Sequence, residues 1–214
     1  MRRIFFLAIL LATAAVAVPA QAQYAPTATT FKDTSMLKPP YGTKVAVWEF
    51  EDLECPACAR AFPIVHEAVK KYNIPLLRHD YPLPMHIWSF DAAVNARYIQ
   101  DVVKNPALAE EYRGKVFAAQ NGISNKDDLR NFTQHFAAAH HINWPFFVDP
   151  GQTLAAKVKT DKALGDRIGL TETPTIFVVT NYGIQQVQDM SQLYQTIDAA
   201  LASVASRQGK TSKK

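Results

Sequence analysis

The chain has 214 residues, 48% of them hydrophobic and 20% charged, which fits one globular domain with a sizeable core. Its formal net charge is +4, and the charge falls to +2 if Arg2 and Arg3 are removed with a leader. So small a charge excludes the strongly basic character of proteins that bind nucleic acid or anionic membrane surfaces, and no nucleic-acid partner is predicted.

Residues 1–22 have the features of a signal peptide. Arg2-Arg3 precedes an apolar run, residues 4–18, which has the length of a signal h-region and is too short to span a bilayer comfortably. Ala20-Gln21-Ala22 supplies a small-x-small cleavage pattern, so the mature chain is predicted to begin at Gln23. We therefore expect export by the general secretory route, the alternatives being a twin-arginine signal or an uncleaved anchor.

A polar, proline-containing lead-in, residues 23–41, follows the predicted signal peptide. A short edge strand is predicted within it, around Thr27 to Phe31. The next segment, Lys44 to Phe50, is rich in β-forming residues and predicts a central strand. After a short turn, Ala57 to Lys71 carries apolar residues at helical spacing, and Asn73 is expected to end that helix.

Both cysteines of the chain, Cys55 and Cys58, lie where the predicted strand gives way to the predicted helix. A Cys-x-x-Cys at a strand-to-helix junction is the thioredoxin-type redox pattern. Unpaired backbone N–H groups and the helix dipole stabilise an anion at a helix start, so the thiol of Cys55 should ionise readily. We predict that Cys55 is the exposed nucleophile and Cys58 the shielded resolving thiol, with Pro56 fitting the first helical turn.

Three other interpretations of the cysteine pair fit the sequence less well. Half of a zinc site would need further ligands, but the chain has no other cysteine and no His-x-x-x-His beside the pair. Haem attachment needs a histidine directly after the second cysteine, where Ala59 stands. An inert structural disulfide would not need the position at a helix start. Because no third cysteine exists, any disulfide exchange must involve another molecule.

The rest of the chain predicts a second strand, a helical block and a closing hairpin with a helix. Ile74 to Tyr81 is the second strand, and it completes a parallel β-α-β unit. Helical spacing recurs in four segments: Phe90 to Val103, Ala107 to Gln120, Lys126 to Ala139, and Thr153 to Ile168. A hairpin of Thr175 to Thr180 with Ile184 to Val187 follows, then a helix, Ser191 to Ala205. The basic residues 207–214 are predicted to form a disordered tail.

This order of elements predicts an α/β protein with a thioredoxin-like fold and an inserted helical subdomain, about residues 85–170. Three motifs support a family likeness: Glu49-Phe50 ahead of Cys55-Pro56-Ala57-Cys58, Pro82-Leu83-Pro84-Met85-His86, and Thr173-Pro174-Thr175-Ile176-Phe177-Val178. With them the chain resembles the DsbA-like branch of the thioredoxin superfamily, whose members are exported bacterial disulfide oxidoreductases. The likeness runs from about Gly42 to Ser203, within a predicted domain of residues 42–206.

The resemblance implies roles for several residues. Pro174 matches the family's cis-proline, which packs beside the disulfide and lets the backbone at Thr173 pair with a bound peptide; an ordinary trans loop proline is the alternative. Pro56 and Ala57, between the cysteines, are predicted to contact the substrate as well. Glu49 matches the buried carboxylate that accepts the proton of the resolving thiol, and burial would raise its pKa for that task; the alternative is a solvated charge on an edge strand.

The chain also departs from the family between and beside its cysteines. The best-known oxidants have a histidine where Ala57 stands, and alanine cannot stabilise a thiolate by charge or hydrogen bonding. Glu51, Asp52 and Glu54 add negative charge near Cys55 and should oppose its ionisation. We therefore predict a pKa of Cys55 and a reduction potential between the two ends of the superfamily.

The implied function is that of a periplasmic enzyme that introduces disulfides into secreted proteins. Its expected partners are unfolded secreted proteins with free thiols and a membrane oxidase of the DsbB or vitamin-K-epoxide-reductase type. We expect a monomer with no cofactor and no metal. Two alternatives remain open. One is a reductase or isomerase fed by a membrane electron donor, because a threonine directly before the proline, Thr173, resembles the isomerase side of the superfamily. The other is a holdase or adaptor whose disulfide is only structural.

Other aromatic and histidine residues have alternative interpretations. His86 and Trp88 either line a peptide groove or pack as a hinge. The segment Trp144 to Phe147 is interpreted mainly as filling the core of the helical subdomain. Three histidines are interpreted as solvated helix surface and not as metal ligands: His135, His140 and His141.

Overall fold

The computed structural model of the protein describes residues 31–211. Its centre is a mixed sheet formed by β1 (Val45–Glu51), β2 (Leu76–Asp80), β3 (Thr175–Thr180) and β4 (Gly183–Val187). The spatial order is β2-β1-β3-β4; β2 is parallel to β1, and the other neighbouring pairs are antiparallel. Every residue of β1 is buried, which confirms the predicted central strand.

Helices cover both faces of this sheet and form a separate block. In chain order they are α1 (Pro56–Tyr72), α2 (Ser89–Asp101), α3 (Pro106–Ala119), α4 (Lys126–Ala139), α5 (Thr153–Ile168) and α6 (Leu193–Thr211). Because α2 to α5 all lie between β2 and β3 in the chain, the predicted helical insertion is confirmed. The observed bounds of α4 and α5 are the predicted ones.

Local chemistry accounts for several of these helix ends. Asn73 ends α1 in the left-handed conformation, at φ 51°, and its N–H donates to helix carbonyls, so the predicted stop is confirmed. Asn105 and Asn125 cap α3 and α4, because each side-chain oxygen accepts a hydrogen bond from a backbone N–H of the first turn.

The two faces of the sheet have separate cores. Val47 and Val178 belong to the core that the sheet shares with α1 and α6. Trp48 and Phe177 belong to the opposite core, which also contains Ile168 at the end of α5. Neighbouring strand residues point to opposite faces, so a strand buried on both sides is apolar throughout, as β1 and β3 largely are.

A third core lies inside the helical block and includes both cysteines. Cys55 and Cys58 are buried together with Leu53, Trp88 and Phe117. The start of α1 is therefore packed between the sheet and the helical insertion, and this places the cysteine pair at their junction.

Some predicted features differ or lie outside the described residues. The last helix reaches Thr211, so residues 207–211 are helical and the predicted disordered tail is wrong for them; Lys44 Nζ donates to Gln208 Oε1 at 3.0 Å there. The predicted signal peptide, residues 1–22, and residues 27–30 of the predicted edge strand lie outside the described part. Phe31, the last residue of that strand, is not in a strand, and its ring packs edge-on against Phe177. No helix within residues 31–211 is long and apolar enough to cross a bilayer.

Candidate active site

The two cysteines stand at the first residues of α1, as predicted. Cys55 is the N-cap residue with extended backbone, Pro56 is the first helical residue, and Cys58 lies in the first turn. Both thiols are free, so the structure represents the reduced state. Cys55 exposes 6% of its surface and Cys58 exposes 1%. Cys55 is the more accessible of the two, as predicted, but it is far less exposed than expected because the helical insertion and the Thr173 loop pack around it.

The sulfur of Cys55 lies in a setting that favours its anion. A hydrogen bond from the Cys58 thiol is the largest cause that lowers the pKa of Cys55, burial opposes it, and the side chain of Thr173 and the backbone N–H groups of Cys58 and Ala57 lower it further. The resulting pKa is about 5. This value lies between those of strongly oxidising and reducing relatives, which run from about 3.5 to about 7.

Cys58 is held as a neutral thiol. Burial raises its pKa well above the ordinary value, and its hydrogen bond to Cys55 and the charge of Cys55 raise it further. The backbone N–H of Asp52 donates to the Cys58 sulfur at 3.4 Å and acts in the opposite direction. The pair thus has one acidic, partly accessible sulfur and one shielded sulfur beside it.

The loop before β3 brings a second predicted feature to the cysteines. The Thr173–Pro174 peptide bond is cis, which confirms the predicted conformation. The neutral Cys55 thiol donates to the Thr173 carbonyl oxygen at 3.3 Å, so these residues are in contact although 118 positions separate them in the chain.

A groove of about 370 Å³ begins beside this loop. It has an apolar floor that includes Ile64, Ile176, Val187 and Met190, and its rim carries the exposed charges of Arg60 and Glu172. Of the predicted substrate-binding residues, Ala57, Thr173 and Pro174 line this groove. Pro56 is exposed next to Cys55 but is not part of the groove lining.

Glu49 is buried on β1, with no exposed surface, so the alternative of a solvated charge is excluded. Burial is the largest cause that raises its pKa to about 7, followed by the charge of Glu51, while Arg78 opposes the rise. One carboxylate oxygen is 3.5 Å from Arg78, and the other has no hydrogen-bond partner in the described chain. Glu51, and not Glu49, is among the principal causes that raise the pKa of Cys58. Within the described residues no hydrogen bond joins Glu49 to Cys58.

A family model described as thioredoxin matches residues 41–199 of the chain. The chain belongs to the thioredoxin family. Its fold is similar to that of DsbA2 from Pseudomonas aeruginosa, at 19% identity and a TM-score of 0.58, with 76% of this chain and 89% of that chain covered. A variant of alpha-DsbA1 from Wolbachia pipientis has 16% identity and a TM-score of 0.60, with 88% and 99% covered. The cytosolic disulfide reductase DsbM from Pseudomonas aeruginosa has 13% identity and a TM-score of 0.53, with 76% and 98% covered. No curated protein matches the chain.

A buried charge network lies beneath the active site of this thioredoxin-family chain, and the sequence interpretation missed it. Arg113 of α3 is 2% exposed, and one of its nitrogens donates to Glu51 at 2.6 Å and to Asp80 at 2.7 Å. Arg97 of α2 also donates to Asp80, at 2.6 Å. A sequence signal for Arg113 did exist, because it occupies the apolar stripe of α3 at helical spacing with Ala109 and buried neighbours one turn further on.

Two acidic side chains before the cysteines, those of Asp52 and Glu54, were predicted to act on Cys55 but form hydrogen bonds elsewhere. The carboxylate of Asp52 accepts hydrogen bonds from the backbone N–H groups of Glu54 at 2.8 Å and Leu83 at 2.7 Å, and it lies 2.7 Å from His86 Nδ1. The Glu54 carboxylate accepts from the N–H groups of Trp88 and Ser89 at the start of α2. The principal causes that set the pKa of Cys55 include none of these carboxylates, so the predicted repulsion is not a main influence on that pKa.

The structure also decides between the interpretations of the aromatic and histidine residues. His86 and the buried Trp88 form a packed hinge, in which the Trp88 indole donates to the Ile123 carbonyl at 3.1 Å. Trp144 packs against Tyr98. Phe146 and Phe147 were predicted to fill the subdomain core, but they are 92% and 71% exposed and do not fill it. Within residues 31–211, no group of three or more acidic, cysteine or histidine side chains could hold a metal ion.

Proposed function

We propose that this protein is an exported thiol:disulfide oxidoreductase that introduces disulfides into secreted polypeptides through Cys55 and Cys58. The observation that carries the proposal is the acidic sulfur of Cys55 at the start of α1, in contact with the cis Thr173–Pro174 loop. An inert structural disulfide would gain nothing from a stabilised thiolate beside a groove.

The reaction begins with the oxidised pair. A substrate thiolate attacks the sulfur of Cys55, the bond between Cys55 and Cys58 breaks, and the electron pair goes to Cys58, which takes up a proton. A second substrate thiolate then attacks the substrate sulfur of the mixed disulfide. The substrate disulfide forms, Cys55 leaves as a thiolate, and the protein has gained two electrons.

The low pKa of Cys55 favours this direction. A stabilised thiolate lowers the free energy of the reduced protein and therefore makes the oxidised pair a stronger oxidant. The same stabilisation makes Cys55 a good leaving group in the second step.

The proposed substrates are unfolded secreted proteins with free thiols, and the proposed site of action is the periplasm. The apolar groove beside Pro174 offers room for a side chain of an extended polypeptide, whose backbone would pair with that of the Thr173 loop. A membrane quinone-linked oxidase of the DsbB or vitamin-K-epoxide-reductase type is proposed to remove the two electrons. The protein is proposed to act as a monomer.

The test is to mix the oxidised protein with a reduced, unfolded, disulfide-containing enzyme and to follow the regain of that enzyme's activity. We expect stoichiometric oxidation by the wild type, none by Cys55→Ser, and slow insulin reduction in a parallel assay. A reductase, as the similar DsbM is described, would instead reduce insulin rapidly and regenerate no activity. A holdase would protect the unfolded enzyme equally well after Cys55→Ser, and that result would overturn the proposal.

A further inference from the structure

The segment from Pro82 to Trp88, here termed the hinge segment, is fastened to the turn that carries the cysteines. Its N–H at Leu83 and its side chain at His86 both reach the carboxylate of Asp52, at 2.7 Å each. Its last residue, Trp88, donates its N–H to Glu54 at 2.7 Å. The bonds at its two ends prevent the hinge segment from moving independently of the active-site turn.

Asp52 has a second set of contacts that lead directly to the cysteines. The residue is 2% exposed, its backbone N–H donates to the Cys58 sulfur at 3.4 Å, and its carbonyl oxygen accepts from the N–H of Cys55 at 3.0 Å. The carboxylate can only accept hydrogen bonds, so His86 Nδ1 must carry the hydrogen that it donates. The peptide unit that carries this N–H is held at both ends: the Tyr81 N–H donates to its carbonyl oxygen, that of Glu51, at 2.7 Å, and the side-chain bonds of Asp52 hold the residue that bears the N–H.

We propose that His86 is a positioning residue of the redox site, which acts through Asp52 to hold the backbone N–H that binds the Cys58 sulfur. The inference rests on the proposed function only in taking the cysteine pair to exchange disulfides. His86 does not touch the substrate or the reacting sulfurs.

The positioned N–H acts when Cys58 carries negative charge. When a thiolate attacks Cys55, a new bond forms between the attacking sulfur and Cys55, and the bond between Cys55 and Cys58 breaks. The electron pair goes to the Cys58 sulfur, which the Asp52 N–H stabilises until a proton arrives from water. In the reverse step the same N–H stabilises the Cys58 thiolate that attacks Cys55 and expels the other thiol.

The experiment measures how fast reduced glutathione opens the disulfide of the oxidised protein in three variants. His86→Ala removes the donor, and His86→Asn restores an N–H near the position of Nδ1. His79→Ala is the matched control, because His79 Nδ1 also contacts a carboxylate, that of Asp161 at 2.9 Å, and the two histidine side chains are similarly exposed, at 17% and 18%. In the reduced proteins, alkylation of Cys55 reports whether the nucleophile itself has changed.

We expect His86→Ala to slow the opening by about fivefold, the size of effect that one hydrogen bond provides, while Cys55 alkylation changes less than about twofold. His86→Asn and His79→Ala should stay within about twofold of the wild type. A wild-type rate in His86→Ala, an equal loss in His79→Ala, or no rescue by asparagine would each overturn the proposal. These rates need no polypeptide substrate, so they stand even if the protein oxidises no unfolded protein; a wild-type disulfide inert to glutathione would overturn both proposals.

Discussion

The sulfur of Cys55 is stabilised by groups that come from distant parts of the chain. Cys58 is one helical turn away on α1, whereas Thr173 precedes β3. The Thr173 hydroxyl is buried and has no hydrogen-bond partner in the described chain, yet its side chain contributes to the low pKa of Cys55. Such a hydroxyl is free to rotate toward a thiolate once the thiolate forms.

Replacing the hydroxyl of Thr173 should make the Cys55 thiolate less stable. In Thr173→Val we expect the pKa of Cys55 to rise above about 5, because the isosteric methyl group cannot donate a hydrogen bond. An absorbance titration of the thiolate measures the change. Thr175→Val is the control, since its hydroxyl donates to the Glu172 carbonyl and Thr175 is the first residue of β3, directly after the loop. Equal titration curves for wild type and Thr173→Val would refute the role of Thr173.

At the scale of elements, α3 is joined to the sheet by a buried charge. Arg113 bonds Glu51 at the end of β1 and Asp80 at the end of β2. Burial alone would raise the pKa of Asp80, but Arg113 and Arg97 outweigh burial and lower it, so this carboxylate stays ionised. The ion pairs hold the helical insertion against the edge of the sheet where α1 begins.

Arg113→Met should therefore lower the free energy of unfolding by about 3–5 kcal/mol, because two buried carboxylates each lose one of their charged partners. Chemical denaturation at neutral pH measures the loss. Arg130→Met is the control, because Arg130 pairs with Asp127 on the exposed surface of α4, and its loss should cost at most about 1 kcal/mol. Similar losses for the two variants would contradict a structural role for the buried network.

Gly165 of α5 packs closely against Tyr81, the residue that follows β2. A Cβ built on Gly165 would stand 2.5 Å from ring atoms of Tyr81, whose hydroxyl lies within hydrogen-bond distance of the Asp166 carboxylate, at 2.8 Å, and of the Leu170 carbonyl oxygen, at 2.7 Å. Because these bonds fix the ring, we expect Gly165→Ala to destabilise the fold by about 1–3 kcal/mol. Thermal unfolding measures this loss. Gly122→Ala is the control and should not show the loss, because no atom lies within 4 Å of its new Cβ.

For the molecule as a whole, the redox state should change how stability depends on pH. In the reduced protein the pKa of Cys55 falls from an ordinary 9.0 to about 5. A depressed pKa stabilises the fold fully above the ordinary value, and this stabilisation is lost as pH falls toward 5. The raised pKa of Glu49, about 7, acts in the opposite sense, with stabilisation lost as pH rises from 4.5 through 7. Its principal causes include neither cysteine, so we expect it to cancel in a comparison of the two redox states.

The free energy of unfolding of the reduced protein, minus that of the oxidised protein, should therefore increase from about pH 5 to about pH 8. Denaturant titrations of both forms across this range measure it. A difference that does not change with pH would show that the folded state does not stabilise the Cys55 thiolate. In Cys55→Ala the wild-type rise with pH of the reduced form should be absent.

The sequence by itself determined those features of the protein that depend on residues close together in the chain. Apolar periodicity and asparagine caps give α1 to α5 close to their observed bounds, and the Cys-x-x-Cys at the strand-to-helix junction locates the reactive sulfur. The cis bond before Pro174 followed from the family motif and not from a local propensity.

Only the tertiary structure decided what surrounds that sulfur. It turned the carboxylates of Asp52 and Glu54 away from Cys55, reduced the exposure of Cys55 to 6%, and paired Arg113 with Glu51 across 62 positions of sequence. The physical reason is that caps and periodicity act within a few residues, whereas burial and ion pairing depend on which distant segments the fold brings into contact.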